Sequence, residues 1–243
     1  MSRALAAAAT LLLAYAAKGW YAAAGADDLA FLLGPTAWLV EAATGHAFEP
    51  EPGMGWLSRE RAFLIAPVCA GGNYFVIAFT TLALGFAPRR DSPAPQLGWL
   101  LGAAALAFAT TLVVNATRIA LALALRETSL PVAPEEAHRV LGVVVYLGAL
   151  FALVLSVSRV LGRRPEMGRV AWLAVGVYLA VTLAVPWVRG AHVRPEFWEH
   201  ARGVLATTLA LGALLVTSAA AVARARSRAS ARRPCRPPPG ARA

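Results

Sequence analysis

Ala66-Pro67-Val68-Cys69-Ala70-Gly71-Gly72-Asn73-Tyr74-Phe75 heads an apolar run that continues to Ala87. A run of that length suits a helix that crosses a bilayer, which needs roughly 20 apolar residues. Its head contains Cys69, the only cysteine in the apolar body of the chain. Proline precedes the thiol by two residues, a Gly-Gly pair follows it, and Asn73 comes next. Both residue types interrupt regular backbone. A thiol therefore stands where a membrane helix begins, among residues that shape the chain around it.

The remainder of the sequence repeats the apolar theme. Of 243 residues, 58% are hydrophobic and only 15% charged, whereas soluble domains carry about 25% charged residues. Apolar runs of helix length predict an all-α, polytopic integral membrane protein with about six transmembrane helices. The expected spans are 4–24, 63–87, 97–117, 138–158, 170–188 and 203–223, within one membrane domain over residues 1–223. No soluble domain and no internal repeat stands out. Residues 27–62 mix acidic and apolar side chains, with Gly34-Pro35 as a break, and read as an interfacial extracytoplasmic segment. Residues 224–243, rich in Arg, Ala and Pro, read as a disordered basic cytoplasmic tail.

Two features of the ends leave alternatives. Ala24-Gly25-Ala26 resembles a signal-peptidase site, so cleavage after the first run competes with a retained span. Lys18, Trp20 and Tyr21 at that end also suit an interface belt with a snorkelling lysine. Cys235, in the basic tail, reads as an inert exposed thiol. The two cysteines lie in such different contexts that they do not form a disulfide framework.

The net charge of +10 is a topology signal. Six spans put both termini on one side, with Arg3, Arg89, Arg90, the four arginines between 159 and 169, and seven in the tail. These are 14 of the 23 basic residues, while 11 of the 13 acidic residues fall on the other side. The positive-inside rule then predicts cytoplasmic termini. It does not call for a nucleic-acid partner.

This orientation brings three helix ends to one rim. Cys69 opens the second span, Asn115 and Arg118 close the third, and His138 opens the fourth. The thiolate is the reactive form of cysteine, and helix N-termini and cations favour it. Pro67 at a first helical position would leave Cys69 in the first turn. His138 can take the thiol proton and later protonate a leaving amine. A guanidinium stays charged at any working pH, which suits Arg118 to an oxyanion or a carboxylate. Asn115 shares a helix face with Arg118 and can orient it or donate a hydrogen bond itself. Gly71 and Gly72 have no side chain, so an extended substrate can approach the sulfur. Taken singly, such a Cys packs, such an Arg snorkels, and such a His marks an interface. With no HxxxH or CxxC spacing, neither a metal nor another cofactor is expected.

At these residues the chain resembles the exosortase/archaeosortase family of membrane proteins. Cys69-Ala-Gly-Gly-Asn73-Tyr-Phe is similar to the family's cysteine motif, and Asn115-Ala-Thr-Arg118-Ile119 to its Asn-x-x-Arg-Ile motif. His138 matches its third position in order and spacing. Leu33-Gly34-Pro35-Thr36 and Thr44-Gly45 are most like the K-type subgroup. The resemblance covers about residues 25–160. Ala70 departs from it, since Ser is the commoner residue after the cysteine.

The resemblance implies a cysteine protease/transpeptidase of the bacterial inner membrane, with its site at the extracytoplasmic face. Its partner would be a membrane-anchored protein bearing a C-terminal sorting signal of the PEP-CTERM type. Cys69 would be the nucleophile, Arg118 the transition-state stabiliser and His138 the acid/base, with Asn115, Asn73, Gly71 and Gly72 in support. A non-enzymatic scaffold, a small transporter and a thiol-dependent acyltransferase are the competing readings. A transporter normally keeps ionisable groups near the bilayer midplane, and spans two to six have none there.

Overall fold

A bilayer offers no water to the peptide groups, so an apolar run satisfies its own N–H and C=O groups by forming a helix. The computed structural model follows that rule and is mostly helical; it describes residues 3–88, 92–126, 134–162 and 167–211. The long helices are α1 (Arg3–Ala23), α3 (Gly72–Gly85), α4 (Pro93–Arg126), α5 (Pro134–Val160) and α6 (Met167–Leu179). A shorter helix, α2 (Ala30–Thr44), lies between α1 and α3. A π-helical stretch, Ala180–Ala184, joins α6 to α7 (Val185–Val188). Pro186 explains that stretch, since it has no N–H and its ring crowds the carbonyl four residues back. Residues 195–211 form α8.

Among the described residues, four stretches are long and apolar enough to cross a membrane: Pro67–Gly85, Pro93–Arg126, Val140–Val160 and Gly168–Val188. α1 has comparable length, but Lys18 and Gly19 dilute its last turns. The second half of the expected sixth span, the basic tail and Cys235 lie outside the described residues.

The chain departs from an all-helical layout before α3. Three short strands, β1 (Glu49–Glu51), β2 (Gly55–Ser58) and β3 (Phe63–Ile65), form an antiparallel sheet in the order β1-β2-β3. Glu49 pairs with Leu57, and Ser58 with Phe63. Gly55 makes this pairing possible: a Cβ there would run into the Ile65 carbonyl oxygen, and its φ is +129°. Residues 63–65, expected as the start of a membrane span, thus belong to the sheet. Gly34-Pro35 does not break α2 either. The helix runs through both residues, and the missing Cβ of Gly34 admits the Trp56 ring, whose nearest atom would be 3.1 Å away. Gly45, at φ +74°, closes α2 by donating its N–H to the Glu41 carbonyl at 2.7 Å.

Among the described residues, two apolar cores result. The larger lies among the long helices and includes Ile77, Leu82, Phe86, Ala107, Leu147, Leu150 and Ala174. The smaller joins α2 and the sheet to the last third of α4, through Leu29, Leu33, Val40, Ile65, Ala116, Ile119 and Leu123. α4 serves both because its 34 residues reach about 51 Å at 1.5 Å per residue. The neighbours alternate in direction. The C-terminal end of α1 meets the N-terminal end of α3 through Lys18 and Asn73. The opposite end of α3 meets the start of α4, where Trp99 Nε1 donates to the Leu82 carbonyl at 3.2 Å.

Candidate active site

Cys69 stands where the two cores meet. Ala66 is extended, as the residue before a proline prefers, and Pro67 opens a single 3-10 turn, Pro67–Cys69. The turn is closed by the Cys69 N–H on the Ala66 carbonyl at 2.7 Å and the Ala70 N–H on the Pro67 carbonyl at 3.0 Å. Gly71 then takes φ +75° and caps α3, and its carbonyl accepts the first helical bond, from Phe75, at 3.1 Å. The expectation that Pro67 starts the membrane helix, with Cys69 in its first turn, is therefore corrected. The thiol lies in a separate turn three residues ahead of Gly72. The turn points Val68 outward, buries Ala70 and leaves Cys69 half-buried between them.

Asn115 ties this turn to α4. Its Nδ2 donates to the Cys69 carbonyl, across 46 residues of sequence. Its Oδ1 accepts from the Tyr146 hydroxyl of α5 at 3.1 Å. The side chain is fully buried, and both ends of its amide are engaged. Arg118, one turn along the same face, rests its guanidinium 5.6 Å from the Tyr146 ring centre. Tyr146 in turn lies within electrostatic reach of both Cys69 and Arg118. Its ring sits 5.3 Å from that of buried Tyr74 on α3.

The glycines also make room for neighbouring helices, besides lining the cavity beside Cys69. A Cβ on Gly71 would meet Thr111 Cγ2 at 3.0 Å and Asn115 Cγ at 3.1 Å, and one on Gly72 would meet the Tyr21 ring at 2.6 Å. Their missing side chains let α4 and α1 close on the Cys69 turn. Asn73 accepts a hydrogen bond from Lys18 Nζ. Lys18 thus turns toward α3 instead of only snorkelling, and it also lies in electrostatic reach of Arg189.

A cavity of about 250 Å³ lies beside the Cys69 turn. Its walls include Lys18, Tyr21, Asn73, Arg118 and Tyr146, together with Pro67, Val68, Ala70, Gly71 and Gly72 on both sides of Cys69. Among the described residues, the walls carry two cations and no carboxylate, which suits an anionic or strongly polarised ligand group. His138 stands one turn into α5, two turns before Tyr146, and its side chain lies outside the described residues. Other histidines are engaged elsewhere: His46 accepts from Arg61 Nε at 3.3 Å in the small sheet region, and His192 Nδ1 lies 2.9 Å from the Trp187 carbonyl. Among the described residues, no three His, Cys, Asp or Glu side chains cluster as metal ligands would.

The structure therefore gathers Cys69, Asn115, Arg118, Asn73, Gly71 and Gly72, and adds Tyr146 and Lys18, which the sequence reading had not assigned to the site. Tyr146 left a signal in the sequence, as the single polar side chain between Arg139 and Ser156. Comparison with known protein families, curated proteins and solved structures finds no match for this chain.

Proposed function

We propose that this chain is a membrane-embedded cysteine protease/transpeptidase of the exosortase type. The observation that carries the reading is the joined set Cys69–Asn115–Tyr146–Arg118, drawn from three separate segments, with Tyr146, Arg118 and the residues on both sides of Cys69 lining one cavity. In this reading Cys69 Sγ attacks the scissile carbonyl of a C-terminal sorting signal, and Arg118 stabilises the oxyanion that forms. His138 takes the thiol proton and returns it to the departing amine as the carbonyl closes to a thioester. An acceptor amine or water then attacks the thioester and releases the thiolate. The chemistry needs no cofactor.

The same reading sets six spans, both termini in the cytoplasm of a bacterial cell, and the site at the extracytoplasmic face of the inner membrane. The arginine distribution supports it. The apolar stretch Pro67–Gly85 has 19 residues, about 28 Å at helical rise, close to the roughly 30 Å of bilayer hydrocarbon. Cys69 then sits at the outer edge of the hydrocarbon, within reach of the extramembrane side of a membrane-anchored substrate.

The test is Cys69→Ala in cells that make a protein bearing a sorting signal. Insertion is expected to be normal and processing to fall by on the order of a thousandfold or more. Wild-type processing by the mutant would overturn the reading.

A further inference from the structure

We propose that Tyr146 is a positioning residue that holds Cys69 and Arg118 in a single working geometry; this rests on the transpeptidase reading above. An asparagine amide can turn over and exchange its oxygen for its nitrogen. With Oδ1 toward the Cys69 carbonyl, two acceptors would face each other. The Tyr146 hydroxyl, donating to Oδ1 at 3.1 Å, selects the orientation that turns Nδ2 to that carbonyl. The hydroxyl therefore acts on the Cys69 turn through Asn115.

The ring acts on Arg118. The guanidinium lies 5.6 Å from the ring centre, an attractive cation–π arrangement. The ring is itself held against Tyr74, which is 1% exposed. One side chain thus fixes the nucleophile's turn by its hydroxyl and the guanidinium by its face. A purely packing role would need the ring alone, and phenylalanine would supply it.

Full-length protein in proteoliposomes, with Cys235→Ser so that Cys69 is the sole thiol, separates the two roles. Tyr146→Phe is expected to lower kcat for processing about tenfold, with KM within twofold and thermal stability close to the parent. It is also expected to change the rate of Cys69 alkylation by iodoacetamide at least threefold. Asn115→Leu breaks the same connection from its other end, and adding Tyr146→Phe to it should cost little more. Parental kcat and alkylation in Tyr146→Phe, or a fully additive double mutant, would overturn the proposal. If the parent protein processes no substrate, the transpeptidase reading falls, and the alkylation comparison alone decides for or against Tyr146. If Tyr146→Phe does not fold, Asn115→Leu carries the same comparison against the parent.

Discussion

At the scale of single residues, the site depends on how little space Gly71 occupies. Its backbone is left-handed at φ +75°, and a Cβ would press on Thr111 and Asn115. Gly71→Ala should cost about 1–2 kcal/mol from the backbone alone. It should also push the Asn115 amide away from the Cys69 carbonyl, so processing is expected to fall more than stability. Thermal denaturation in detergent, read beside the processing rate, checks both parts. Lys18 is the second residue to test. Lys18→Met removes the hydrogen bond to Asn73 and one of the cations that line the cavity. It is expected to raise KM for a substrate carrying a carboxylate near the cleavage point and to leave a neutral analogue unaffected. Equal KM changes for the two substrates would contradict a charge role.

At the scale of elements, magnitudes separate the contacts that matter in α2 and the sheet. Arg59 reaches Glu49 at 3.4 Å and Glu51 at 3.2 Å, but the arginine and Glu49 are well exposed. Exposed pairs of this kind contribute about 0.2–1 kcal/mol, so Arg59→Ala should barely shift the unfolding temperature. Ile65 is fully buried between the sheet and α2. Ile65→Ala should cost about 2–5 kcal/mol through lost contact and the cavity left behind. Because β3 leads straight into the Pro67–Cys69 turn, the Ile65 variant should also lose activity, and the Arg59 variant should keep it. Parallel melting curves and processing assays of the two variants decide this.

At the scale of the whole molecule, the alternation of helices gathers the site at one end of the bundle. The end of α1, the start of α3, the last third of α4 and the first half of α5 all contribute to it. Arg189, after α7, joins them by resting 5.6 Å from the Tyr15 ring centre on α1. If the arginine count sets the orientation, a membrane-impermeant maleimide added to intact spheroplasts should label Cys69 and spare Cys235. Permeabilising the cells should then expose Cys235. Labelling of Cys235 first would reverse the proposed orientation and with it the location of the site.

The sequence by itself determined the helical class, the position of the apolar runs and the pairing of Cys69 with Arg118 as candidates. These depend on local hydropathy, on charge counting and on spacing within one helix, all of which are readable along the chain. Only the tertiary structure decided that Asn115 turns to the Cys69 carbonyl, that Tyr146 bridges Asn115 and Arg118, and that Lys18 meets Asn73. Each of these contacts joins residues tens of positions apart, and their distance is set by helix packing. The small sheet was hidden for a related reason. Its strands are three or four residues long, too short to show an alternating pattern, and their register depends on Gly55 passing the Ile65 carbonyl. The opening stretch shows the same division. Pro67, Gly71 and Gly72 announced a break in the backbone at Cys69, but which helices close on that break was a matter of packing across α1, α4 and α5.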